Sequence, residues 1–174
     1  MSESYIVLRD AVYSAIDALY EDAVLYQKIW MRQVAKKELE LAGKINSKLD
    51  DRTSYQLRIE LSGASFIIRW LHVKFTRNNG KLIRLNKAIA IPRNGKYTKA
   101  NFGYAAEWEL NMIVELEDQL APIRFQLKHL MKAHKSIWYA ARGVANNDLK
   151  IVSIRERVTP PDFSISKFKE KMSI

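Results

Sequence analysis

Cysteine is absent from all 174 residues. That excludes disulfides and the usual Cys-containing structural zinc sites, and it suits a reducing cytoplasm. No window approaches about 18 uncharged apolar residues, so no membrane-spanning helix and no membrane partner are expected. The chain opens Met1-Ser2-Glu3-Ser4 and reaches Arg9 and Asp10 before any long apolar run develops, so a signal peptide is not expected. With 6 glycines and 4 prolines there is no Gly-rich phosphate loop and no Gly-Xaa-Ser-Xaa-Gly element. Histidines are few: His72, His129 and His134. The last two stand five apart and so face different sides of a helix, where metal pairs need a spacing of three or four. Glu107 and Glu109 flank Trp108 and diverge on a helix, and Glu115, Glu117 and Asp118 are expected on a solvated face. The reading is a protein that is not an enzyme and holds no metal and no cofactor.

The most informative absence is acid. Residues 61–106 contain no Asp or Glu, yet hold Arg69, Lys74, Arg77, Lys81, Arg84, Lys87, Arg93, Lys96 and Lys99. The whole chain has 29 basic against 19 acidic side chains and a net charge of +10. Without those nine cations it would carry 20 against 19, so one stretch holds nearly all the excess. Like charges directly opposed on a β-ribbon repel by up to about 1 kcal/mol per pair. A polyanion that offsets this repulsion is the first partner to consider, and phosphate backbones are the commonest.

In chain order, 4–46 reads as one long helix with an apolar stripe of Leu8, Val12, Ala15, Leu19, Ala23, Tyr26, Trp30 and Val34. Residues 48–54 read as a polar linker. Strands are expected at 55–61, 66–77 and 81–91, joined through Ser62-Gly63-Ala64-Ser65 and Asn78-Asn79-Gly80. In the third strand Ile83, Leu85, Ile89 and Ile91 are expected inside, with Lys87 at an edge. A second helix is expected over 100–142. Its two heptad rows are Ile113, Leu120, Leu127, His134, Ala141 and Glu109, Leu116, Ile123, Leu130, Ile137, which keep phase across Pro122, so a kink or two nearly collinear helices are expected there. His134, on that stripe, reads as a satisfied core histidine. Residues 149–158 read as a last strand. The class is α+β: a single domain over 1–158 with an antiparallel meander and two long helices, then a basic C-terminal tail over 159–174. Apolar stripes of this length also predict a homo-oligomer or partner surface on the helices.

Trp70, His72, Phe75 and Tyr97 are interleaved with the cations of the ribbon, as stacking on bases or sugars requires. The candidate nucleic-acid-binding residues are Arg69, Lys74, Arg77, Lys81, Arg84, Asn86, Arg93 and Lys96. A two-stranded ribbon enters the major groove of B-form DNA, where Arg and Asn read base edges. Basic strands also serve as solvated edges that deter aggregation. Charge leaves two other partners open: an acidic protein met by a non-enzymatic adaptor, and RNA met by a regulator.

Phe66-Ile67-Ile68-Arg69-Trp70, then Lys96-Tyr97-Thr98, then Ala106-Glu107-Trp108-Glu109-Leu110 follow one another over roughly 55–130. In this order they resemble the MobI-type mobilisation proteins of conjugative plasmids and integrative conjugative elements. The resemblance implies a cytoplasmic accessory factor of conjugation, a component of the relaxosome. It would bind double-stranded DNA at the origin of transfer and recruit or position a relaxase. No motif carries base-contacting residues across, so the candidate residues rest on charge alone.

Overall fold

The computed structural model describes residues 2–43, 53–144 and 149–173. These form α1 (Ser2–Ala42), β1 (Tyr55–Ser62), β2 (Ser65–Asn78), β3 (Lys81–Ala88), a 3-10 turn (Lys99–Asn101), α2 (Glu107–Arg142), α3 (Ile154–Arg157) and α4 (Ile165–Met172). The architecture is α+β, with an antiparallel sheet in the order β1-β2-β3 and two long helices packed on each other and on the sheet. The expected end of the first helix at 46, and most of the expected linker, fall outside the described residues.

Local chemistry fixes both hairpins. Gly63 (φ +56°) opens the two-residue turn between Ser62 and Ser65, the position that a type II′ turn reserves for glycine. Asn79 (φ +50°) and Gly80 (φ +78°) are both left-handed, as a type I′ turn requires. Strand register then sorts the side chains. Tyr55, Leu57, Ile59 and Leu61 share a face with His72, Trp70, Ile68 and Phe66, and this face meets the helices.

On α1 the buried row is Tyr13, Ile16, Tyr20, Ala23, Gln27, Trp30 and Val34. The expected stripe is thus rotated by about one residue at its start: Leu8 is exposed and Tyr13 takes its part in the core. Tyrosine can do this because its hydroxyl finds partners, here His134 Nε2 and the Val152 amide, each at 3.0 Å. Both heptad rows of α2 face inward as expected, while at Pro122 the two collinear pieces allowed for are one continuous helix. At the centre Trp30 meets Trp70 edge-on, centroids 4.9 Å apart, and Phe102 meets Trp70 and Tyr55 in the same way. Burying each such side chain contributes roughly 1.5–3 kcal/mol.

Four expectations are corrected. The third strand ends at Ala88, not 91, and all eight of its residues are exposed, so Ile83 and Leu85 are not inside. Alternation in β3 reflects the pleat alone, because the helices do not extend over this edge. The second helix starts at Glu107, not 100, since Gly103 and the extended Ala106 precede it. The last strand, expected at 149–158, is replaced by α3, whose first turn Ser153 caps through the Arg155 amide. Finally, the basic tail contains α4, which packs on α1: Phe168 is buried under Arg32, and Lys169 pairs with Glu38.

Candidate nucleic-acid interface

From Lys74 to the turn, β2 loses its cover, and with β3 it forms an arm: of its residues in β2 and β3, only Thr76 is not exposed. Register divides its cations between two faces. Arg77 and Arg84, with Asn86, Phe75 and Leu82, share the sheet face turned away from the helices, which also carries Arg69 and Arg58 farther back. Lys74, Lys81 and Lys87, with Ile83 and Leu85, lie on the other face. Arg93 and Lys96 belong to the segment that follows β3. The eight candidates are therefore brought together as an outward group (Arg69, Arg77, Arg84, Asn86), a pair on the opposite side (Lys74, Lys81) and a flanking pair (Arg93, Lys96).

Acid from outside the acid-free stretch neutralises part of it. Glu60 sits between Arg58 and Arg69, 3.3 Å from each, and Lys96 Nζ reaches Asp118 at 2.9 Å. Arg84 donates to Gln56 Oε1 at 3.0 Å, so it crosses β2 over the face from which Leu71 and Val73 project. Lys74, Arg77, Lys81, Arg84, Lys87, Arg93 and Lys99 form no ion pair with a described residue.

The segment after β3 is held by a buried polar network. Glu117 and Arg124, seven residues apart on α2, form a two-pronged pair at 2.8 and 2.9 Å. Glu117 also accepts the Trp70 indole N–H (2.8 Å) and the Tyr97 amide (3.0 Å). Arg124 donates to the carbonyls of Ile68 and Gly95, and its guanidinium lies 4.9 Å from the Tyr97 ring centroid. Glu117 is therefore a structural carboxylate and not part of the solvated face expected for it. Of the aromatics expected to stack on bases, Trp70 and Tyr97 are core residues. Phe75 is 37% exposed on the arm. His72 stacks on Tyr104, with centroids 4.6 Å apart. Burial, then Lys74 and Lys87, lower the His72 pKa and keep its ring neutral at pH 7.

Sequence reasoning left Arg58 and Gln56 off the interface. Strand alternation sends them to the face opposite Tyr55 and Leu57, but only register sets Arg58 directly opposite Arg69. Among the described residues no group of three or more His, Asp or Glu is placed to hold a metal ion, and no helix is long and apolar enough to cross a membrane.

Fold and surface together define a class: an α+β protein that presents a basic β-arm beyond a helix-backed sheet. The particular family is fixed by the chain itself: residues 19–158 match the family described as MobI protein, and the chain belongs to it. It is thus a protein related to conjugative mobilisation. No curated protein and no solved structure matches the chain.

Proposed function

We propose that this protein is a non-enzymatic DNA-binding accessory factor of conjugative transfer, which marks the origin of transfer and there recruits or positions a relaxase. One observation carries the reading: five cations, Lys74, Arg77, Lys81, Arg84 and Lys87, stand exposed on a two-stranded arm with no acidic partner among the described residues. A two-stranded ribbon fits the major groove with one face toward the base edges, and long cationic side chains beside it reach the flanking phosphates. Arg84 and Asn86, neighbours on the outward face, are the side chains assigned to base edges. Lys74, Arg77, Lys81, Arg93 and Lys96 are assigned to phosphates, with Lys96 exchanging Asp118 for a phosphate oxygen.

The test is binding to origin duplex over a series of salt concentrations. If about five phosphates are neutralised, the log–log slope is about −4 to −5. Lys74→Glu with Arg84→Glu lowers affinity and flattens that slope while leaving the thermal midpoint nearly unchanged. A double variant that binds like wild type removes the arm from the account, and a clear preference for RNA rejects the conjugation reading. Purified protein is expected not to nick supercoiled origin DNA. Metal-dependent nicking abolished by chelator would make it an enzyme.

A further inference from the structure

A cavity of about 490 Å³ lies beside the C-terminal half of α2 and takes no part in the proposed DNA contact. Ala64 of the β1–β2 turn, Met131, Trp138 and Ile151 give it apolar walls. Lys128, Lys132 and Lys135 line it as well, and none forms an ion pair with a described residue. Their spacing of four and three keeps them on one side of α2 over two turns, about 10 Å. His134 supplies no charge there. Tyr13 Oη accepts the Val152 amide and shares a hydrogen bond with His134 Nε2, each at 3.0 Å. Burial, with Arg157 and Arg9 nearby, disfavours a second proton.

Apolar walls do not suit a phosphate backbone, because hydrated anions gain nothing from them. A single-headed amphiphile needs one cation, whereas three in a row over two turns match a row of carboxylates. We propose that this pocket docks an acidic amphipathic helix of a protein partner. A large apolar side chain of that helix seats between Met131, Trp138 and Ile151, and its carboxylates meet Lys128, Lys132 and Lys135. The pocket adjoins the β1–β2 turn, while the arm ends at the β2–β3 turn; the 14 residues of β2 separate these ends by roughly 45 Å. Partner and polyanion therefore occupy separate parts of the molecule.

The experiment titrates the full chain with a designed helical peptide that carries one Trp or Leu anchor flanked by Glu at spacings of three and four. Binding is read by calorimetry. Saturable binding is expected, weakened at least about tenfold by Lys128→Ala with Lys132→Ala, and equally by replacing the peptide's anchor with alanine. Ile151→Trp, which fills the pocket, should abolish binding in a protein whose circular dichroism melt is retained. The Lys74→Glu, Arg84→Glu variant should bind the peptide as wild type does, so a failure of the DNA reading stays distinguishable from a failure of this one. No binding overturns the proposal. So does binding that ignores the pocket variants, or that is equal for a Glu-to-Lys peptide, or a preference for phosphatidylglycerol vesicles over the peptide.

Discussion

At the scale of single residues, two buried carboxylates on α2 do unlike work. Glu117 is an ion with every oxygen engaged, by Arg124, Trp70 and Tyr97. Removing one member of such a pair leaves an uncompensated charge, so Arg124→Met alone should cost about 3–5 kcal/mol in urea unfolding. Replacing both partners with apolar residues should cost less. Glu109 has no ion-pair partner among the described residues and accepts the amides of Ser54 and Tyr55, tying the start of β1 to the start of α2. Burial outweighs those amide bonds and raises its pKa to about 7. The folded state thus holds this proton more tightly than the unfolded chain. The resulting stability is complete below about pH 4.5 and is lost as pH rises through about 7, by roughly 3 kcal/mol. Glu109→Gln should flatten this fall in a series of urea midpoints. His72 and His134, whose pKa values are lowered, act oppositely and lose their contribution as pH falls below about 6.5, so the variant must be compared with wild type at each pH.

At the scale of elements, the arm is the least supported part of the sheet, held by its β2–β3 ladder and its turn. Gly80 at φ +78° meets no neighbour at its Cβ position, so Gly80→Val is not a steric clash but a backbone penalty of about 1–2 kcal/mol. Amide exchange in β3 should rise while exchange in α2 stays the same, and DNA affinity should fall with it. Side chains on this element also separate affinity from specificity. Arg84→Ala or Asn86→Ala should relax preference for the origin site more than they weaken non-specific binding, since each good bidentate contact contributes about 1–3 kcal/mol of discrimination. A footprint at ~150 mM salt that covers all duplex evenly would reduce the arm to an electrostatic clamp.

At the scale of the molecule, the helices cover one face of the sheet, and Arg157 fastens the C-terminal segment to α1. Its guanidinium reaches both Asp17 oxygens, the Val152 and Ala64 carbonyls, and the face of Tyr13 at 4.0 Å. What stays uncovered on α1 includes Val7, Leu8, Leu25 and Ile29. Leu25 and Ile29 lie four apart, on one face of the helix, and are the place to test self-association. Sedimentation should show concentration-dependent dimerisation that Leu25→Asp with Ile29→Asp removes. A strict monomer at all concentrations would end that expectation.

The sequence by itself determined what rests on neighbours along the chain. Both turns needed only Gly63 and Asn79-Gly80, and the seven-residue rows of α2 stayed in phase through Pro122, so helix and hairpins were legible. The charge imbalance of 61–106 was likewise visible in the residues alone. Tertiary structure decided the rest, because cover and pairing come from elements distant in the chain. The alternation of β3 reads the same whether or not a helix lies over it, and among the described residues none does. Glu117 looks like its exposed neighbour Asp118 until Arg124, Trp70 and Tyr97 converge on it. Trp70 and Tyr97 stand among cations in sequence, yet both are buried, since a strand sends adjacent side chains to opposite faces and a loop is placed by what binds its backbone. Arg69 and Lys96, equal to the other cations in sequence, meet Glu60 and Asp118 only once the sheet and α2 are assembled.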